Sequence, residues 1–340
     1  MKSLGKSVIF EQTIITMSQL NEIKKPVEKE ILQFEEYLKK SMKSDELFMD
    51  MVMRYILKTK GKQIRPMFVL LSAKLQGPIT EKSYIAASLI ELLHTATLIH
   101  DDVVDESFER RNHFSVNALW RTKIAVLAGD FLLSKGLLIS INTQTHDLLE
   151  TVSEAVKLMS EGELMQFYTA RKRNITEEKY FDIISRKTAS LISSCTLCGA
   201  LSVTNDTERL AKMKEFGRLA GMAFQIRDDL FDFLPDASTG KPIGTDIRDK
   251  KMTLPVIYAI NTLDSETKKK LKQLMNKKQS NKQTMNDIYE IMNNSGAIEY
   301  TRSVMNRFKN EAISMLDDFE ENEAKKSLIA LVNFCIERKQ

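Results

Sequence analysis

The chain has 340 residues with only 12 Gly and 6 Pro, against an average usage of roughly 12% for the two together. So few turn-formers exclude a sandwich, barrel or propeller, and a composition 43% hydrophobic and 28% charged excludes wholesale disorder. The net charge of +4 argues against nucleic acid as a partner, and three cysteines make no disulfide framework, which suits a cytoplasmic chain.

Residues 1–20 read as a loose tail. Glu11 interrupts the short apolar run Val8–Phe10, so no signal peptide is expected, and Met17 is a candidate start. From Asn21 to Lys43, Ile23, Val27, Ile31, Phe34 and Leu38 recur at helical spacing. A second helix covers 45–57. Gly61 breaks the pattern, and Pro66 suits the first turn of a helix over 66–75. Thr80–Ser83 opens a helix running to Asp105, apolar on nearly every side and therefore buried. Further helical patterns cover 115–121, 123–142, 146–171, 176–203, 207–234, 252–262, 265–277, 283–293, 296–317 and 322–337. No stretch alternates with period two, no segment repeats, and nothing has linker composition. The expectation is an all-α fold, a single domain over 21–340. The longest uncharged run, Thr188–Asn205, is studded with Ser, Thr and Cys, and mean hydropathy is −0.26, so no transmembrane segment is expected. The lysine-rich stretch 267–282 reads as a solvated face, with an anionic membrane surface as the alternative. Cys195 and Cys198 read as packing residues, and Gly217 with Gly221 as a close helix contact.

Two acidic clusters carry the chemistry. Asp101-Asp102-Val103-Val104-Asp105 ends the long apolar helix. Asp101 and Asp105 stand about 40° apart in azimuth and one turn apart in height, so they share a face and repel. The pattern recurs as Asp228-Asp229-Leu230-Phe231-Asp232, late in another apolar helix. Carboxylates gathered this way suit Mg²⁺, which keeps waters and also binds substrate phosphates. Basic residues complete the set. Lys62 and Arg65 lie at a helix start that favours anions, and Arg110-Arg111 follows the first cluster. His94, two turns before Asp101, shares the metal face. Together these residues describe a helical cavity holding Mg²⁺ and one or two diphosphates.

The chain resembles the trans-type isoprenyl diphosphate synthases, the polyprenyl synthase family, over roughly residues 20–340. The matching stretches are Gly61–Pro66, Glu91–Asp105, Arg110-Arg111, Gly129-Asp130, Glu161–Glu163, Arg186–Ala189, Phe224–Asp232 and Gly240–Pro255, in the family's order. The likeness is greatest to octaprenyl-type synthases. It implies the isoprenoid synthase fold, one large helical bundle surrounding a deep central cavity. It also implies elongation of an allylic diphosphate, such as farnesyl diphosphate, by isopentenyl diphosphate through ionisation, condensation and elimination. On that resemblance Asp101, Asp105 and Asp228 ligate Mg²⁺, three ions once substrate is bound. Asp102, Asp229 and Asp232 are further ligands or support them. Arg110, Lys187, Gln225, Lys241 and Lys251 hold the allylic diphosphate, and Lys62, Arg65, His94 and Arg111 hold isopentenyl diphosphate. Lys187, Thr188 and Gln225 stand beside the allylic cation. Gln225, three positions before Asp228, lies about 60° from it on the helix and faces the same cavity. A homodimer burying apolar helix faces and a peripheral membrane contact for product release are also implied.

Product length depends on the depth of the apolar pocket below the first cluster. The family's stop positions fall on Ala96 and Thr97, both small, which argues against a C15 product and favours a medium or long one, C40 foremost, for quinone side chains. Thr97 lies about 60° off the Asp101/Asp105 face and Ala96 further, so helix geometry supports Thr97 more directly. A geranylgeranyl-length or shorter synthase is an alternative. So are a cyclising terpene synthase, a non-catalytic subunit of a heteromeric synthase, and a helical module without chemistry. Two intact aspartate clusters argue against all three.

Overall fold

The computed structural model describes residues 18–340 apart from 60, 111–112, 173–174, 234–250, 276–281 and 338–340. Helical structure begins at Ser18, ahead of the expected start at Asn21, and tightens into a 3₁₀ turn over Lys25–Val27, where Pro26 has no N–H for an α-helical bond. Helix α1 (Glu28–Ser41) then follows, with α2 (Leu47–Lys58) and α3 (Ile64–Gln76) after it. Helix α4 (Glu81–Val104) starts where the sequence indicates: the Ser83 hydroxyl accepts the Thr80 N–H at 3.2 Å.

Past α4 the chain makes a hairpin that the sequence reading does not contain. Strands β1 (Glu109–Arg110) and β2 (His113–Phe114) pair antiparallel, Glu109 opposite Phe114. Two residues per strand are too few to show alternation. Tertiary bonds hold the hairpin: Tyr55 donates to the Phe114 carbonyl at 2.6 Å, and the Ser115 hydroxyl to that of Ser107 at 2.8 Å.

Helix α5 (Val116–Asn142) is broken at Arg121, whose φ of 68° is left-handed, so the two expected segments 115–121 and 123–142 are real. By length and composition α5 qualifies as a membrane span, with mean hydropathy 1.8 over its most apolar window and a third of that window buried. In this fold it lies along α4. Helix α6 (His146–Lys172) follows. The single helix expected over 176–203 is instead α7 (Glu177–Ile184), a π turn over Ser185–Ala189, and α8 (Ser190–Leu201). The Ser190 N–H reaches back to the Ser185 carbonyl, five residues earlier. Helix α9 (Thr207–Phe231) is capped by Asp206, whose carboxylate accepts the Glu208 and Arg209 N–H groups at 3.0 and 3.1 Å. Then come α10 (Leu254–Thr262), α11 (Ser265–Met275), α12 (Lys282–Asn294), α13 (Ala297–Ser314) and α14 (Glu323–Glu337).

Helix α4 packs on α5, with α1, α3 and α8 around it; α8 lies between α3 and α9, and α9 also packs on α13. Phe34, Phe68, Leu89, Leu132 and Phe216 are buried in the main core. A smaller cluster around Val256, Ile288 and Met292 joins α10 to α13. Gly217 and Gly221 make the close contact expected of them. A Cβ on Gly221 would stand 2.6 Å from the Ala189 Cα, and one on Gly217 2.7 Å from the Ile192 carbonyl oxygen. Glycine there lets α9 approach the π turn. Cys195 and Cys198 are buried, and burial pushes the Cys195 thiol up to about 12.

Candidate active site

Helix α4 delivers the first aspartate cluster at its C-terminal end. Asp102 is buried, and its Oδ1 accepts Arg110 Nε at 2.8 Å and Nη2 at 2.7 Å. The hairpin folds Arg110 back over the end of α4. Asp101 and Asp105 remain exposed at the end of the helix. The protein crowding Asp101 pushes its carboxyl above the ordinary 3.8, and the negative charges of Glu163 and Asp105 push the same way. Lys187 and Arg110 oppose this in part.

Glu163 comes from α6 and forms an ion pair with Lys187 of the π turn. A Cβ on Gly162 would lie 2.7 Å from the Lys187 nitrogen, so glycine permits that approach. Arg186 clamps the turn, donating to Glu161 at 2.8 Å and to Asp182 at 2.7 Å.

Helix α9 brings the second cluster. One turn after Gly221, Gln225 accepts the Thr188 hydroxyl at 2.7 Å and donates through Nε2 to Asp229 at 2.8 Å. The other Asp229 oxygen accepts the Tyr180 hydroxyl at 2.7 Å. Asp228 is half-buried and accepts Arg227 Nη1 at 2.7 Å, while that guanidinium stacks 4.6 Å from the Phe231 ring centre. Asp232 caps α9. Lys187, Gln225, Asp229 and Lys251 line one cleft of about 80 Å³.

Lys62 and Arg65, at the start of α3, open onto a larger cavity of about 750 Å³ with Arg227 and the apolar Phe68, Phe224 and Phe334. His94 does not join them there. It lines a neighbouring cleft of about 90 Å³ with Asp102 and Arg110, and Gln63 and Glu91 line both. Ala96 is fully buried on α4; Thr97 is half-buried and donates to the His94 carbonyl at 2.8 Å. Arg111 and Lys241 lie outside the described residues.

The model of the polyprenyl synthetase family matches residues 46–292. The chain belongs to this family. The octaprenyl diphosphate synthase of Escherichia coli (strain K12) is 32% identical over 298 residues, 87% of this chain and 92% of its own length. A short chain isoprenyl diphosphate synthase of Methanothermobacter thermautotrophicus is 33% identical over 290 residues, 84% of this chain and 88% of its own. Among solved structures, a polyprenyl synthase of Caulobacter crescentus complexed with calcium and isoprenyl diphosphate superposes with a TM-score of 0.85 at 27% identity, covering 94% of this chain and 98% of that one. This polyprenyl synthetase is therefore a prenyl-transferring enzyme with the all-α isoprenoid synthase fold.

Among the described residues, no three His, Cys, Asp or Glu side chains close into a ready metal cage. Mg²⁺ needs none, since it retains waters and takes one or two carboxylates plus substrate phosphates. Asp101, crowded by Asp105 and Glu163, offers hard oxygens and negative charge that Lys187 and Arg110 balance only in part. The residues fit a divalent cation.

Sequence reasoning missed Glu163, Arg227 and Tyr180. The first two lie in the matching stretches Glu161–Glu163 and Phe224–Asp232, where no role was assigned to them. Tyr180 falls on the buried face of α7 and has no sequence signal beyond that of a core aromatic.

Proposed function

We propose that the protein is a Mg²⁺-dependent trans-prenyltransferase. It condenses isopentenyl diphosphate onto an allylic diphosphate such as farnesyl diphosphate. The product is a medium or long all-trans polyprenyl diphosphate, C40 favoured, for quinone side chains. The observation that carries this reading is the position of Lys187. It pairs with Glu163, lies within the field of Asp101, and shares a cleft with Gln225 and Asp229. One lysine thus links both aspartate clusters.

Asp101, Asp105 and Asp228 hold the metal, three ions with substrate bound. Bound Mg²⁺ supplies Lewis-acid stabilisation of the departing diphosphate. Arg110, Lys187, Lys241 and Lys251 neutralise that diphosphate, while Lys62, Arg65, His94 and Arg111 hold isopentenyl diphosphate. The allylic C–O bond breaks and its electron pair leaves with pyrophosphate. The isopentenyl double bond attacks the cation, a C–C bond forms, and a proton passes to pyrophosphate. Thr188 and Gln225 face the cation with neutral oxygens, which stabilise it without capturing it.

Small side chains at Ala96 and Thr97 support a long product. The exposed stripe of Leu119, Val126, Leu127, Leu137, Leu138 and Ile141 along α5 supports a homodimer. Residues 21–340 act as one cytoplasmic domain that touches the membrane only peripherally, to release product. The test is incubation of purified protein with labelled isopentenyl diphosphate, farnesyl diphosphate and Mg²⁺, then sizing of the dephosphorylated product. Products of C30 or longer are expected. A C20 product overturns the length assignment alone, and no elongation from any primer overturns the function.

A further inference from the structure

Four side chains from three elements form one chain of hydrogen bonds: Thr188 on the π turn, Gln225 and Asp229 one turn apart on α9, and Tyr180 on α7. A carboxylate only accepts, so Asp229 fixes which end of the Gln225 amide faces it: the NH₂. The carbonyl oxygen must then point to Thr188, which donates to it at 2.7 Å. The remaining lone pair of that oxygen is available to a cation beside the π turn.

Asp229 divides its two oxygens between Gln225 and Tyr180, at 2.8 and 2.7 Å. Tyr180 and Asp229 are 3% and 5% exposed, so this end of the relay is buried, while Gln225 and Thr188 are half-buried. We propose that Tyr180, acting through Asp229, is a positioning residue that holds the Gln225 carbonyl oxygen toward the allylic cation. This rests on the prenyl-transfer reading above. Without the Tyr180 hydroxyl the Asp229 carboxylate is free to rotate away from Gln225; the amide can then turn over, and its NH₂ faces the cation with the wrong sign. Tyr180 lines the cleft of Lys187 and Lys251, but its hydroxyl is spent on Asp229, so the loss is expected in the ionising step rather than in substrate binding.

Tyr180→Phe tests this, since the ring and its edge contact with Phe181 at 5.5 Å are kept. The expected kcat is lower by about ten-fold, with KM for both substrates and half-saturating Mg²⁺ within about two-fold. In a Gln225→Ala background the same substitution should cost nothing further, because the group it positions is gone. Asp229→Asn run through the same cycle provides a second reading that does not depend on the Tyr180 ring. Equal losses in both backgrounds, an unchanged kcat, or an effect confined to KM or Mg²⁺ overturns the relay while leaving the enzyme's function intact. A wild type that elongates no primer overturns the function and the relay together.

Discussion

Between Asp101, Asp105 and Glu163 the local charge is negative and partly desolvated, which raises the Asp101 carboxyl above 3.8. As pH climbs from that ordinary value toward the higher folded-state one, the unfolded chain releases its proton first. The metal-free protein therefore loses stability across this window and does not regain it above. Asp101→Asn should melt above wild type at neutral pH without Mg²⁺, and the advantage should vanish in acid. A variant melting below wild type at neutral pH contradicts the charge crowding. Thr97→Phe fills the proposed floor under the first cluster and should shorten the product by at least one C5 unit; an unchanged distribution removes Thr97 from that role. The aspartates are legible in the sequence because like charges repeated on one face of an apolar helix have few other uses. Glu163 and Tyr180 are not, because their partners Lys187 and Asp229 lie on other helices and only the packed fold brings them together.

The π turn is the element on which the site depends. It sits where α6, α7 and α9 meet, and Gly221 sets how closely α9 approaches it. Gly221→Ala places a methyl 2.6 Å from the Ala189 Cα. That overpacking should cost about 1–3 kcal/mol in urea unfolding. It should also lower kcat, since Gln225 on the next turn is moved from Thr188. Unchanged stability and kcat would show the contact to be looser than described. Helix order was readable from periodicity, and so was the break near Arg121. The π turn was not, because apolar spacing along 176–203 reads as continuous helix and the one wider turn is fixed by contacts with α6 and α9. The hairpin escaped for the same reason: the bonds that hold it come from Tyr55, Asp102 and Ser115, not from a strand pattern.

Across the whole molecule, scarce Gly and Pro now have a use, since long helices wall the clefts of the site. The +4 net charge conceals a separation: Asp102 lines one cleft with Arg110, Asp229 another with Lys187, and Lys62 and Arg65 open onto a third. On the outside, Leu127 and Leu138 stand exposed on α5. Leu127→Glu with Leu138→Glu should turn a dimer into a monomer in sedimentation, and a wild type already monomeric would exclude the proposed pairing. The central claim is that both aspartate clusters serve one site. Calorimetric titration of Mg²⁺ with a non-ionisable thio analogue of farnesyl diphosphate into Asp228→Asn addresses it directly. Binding should weaken at least about ten-fold relative to wild type, although the first cluster is intact. Wild-type affinity in that variant would contradict a shared site.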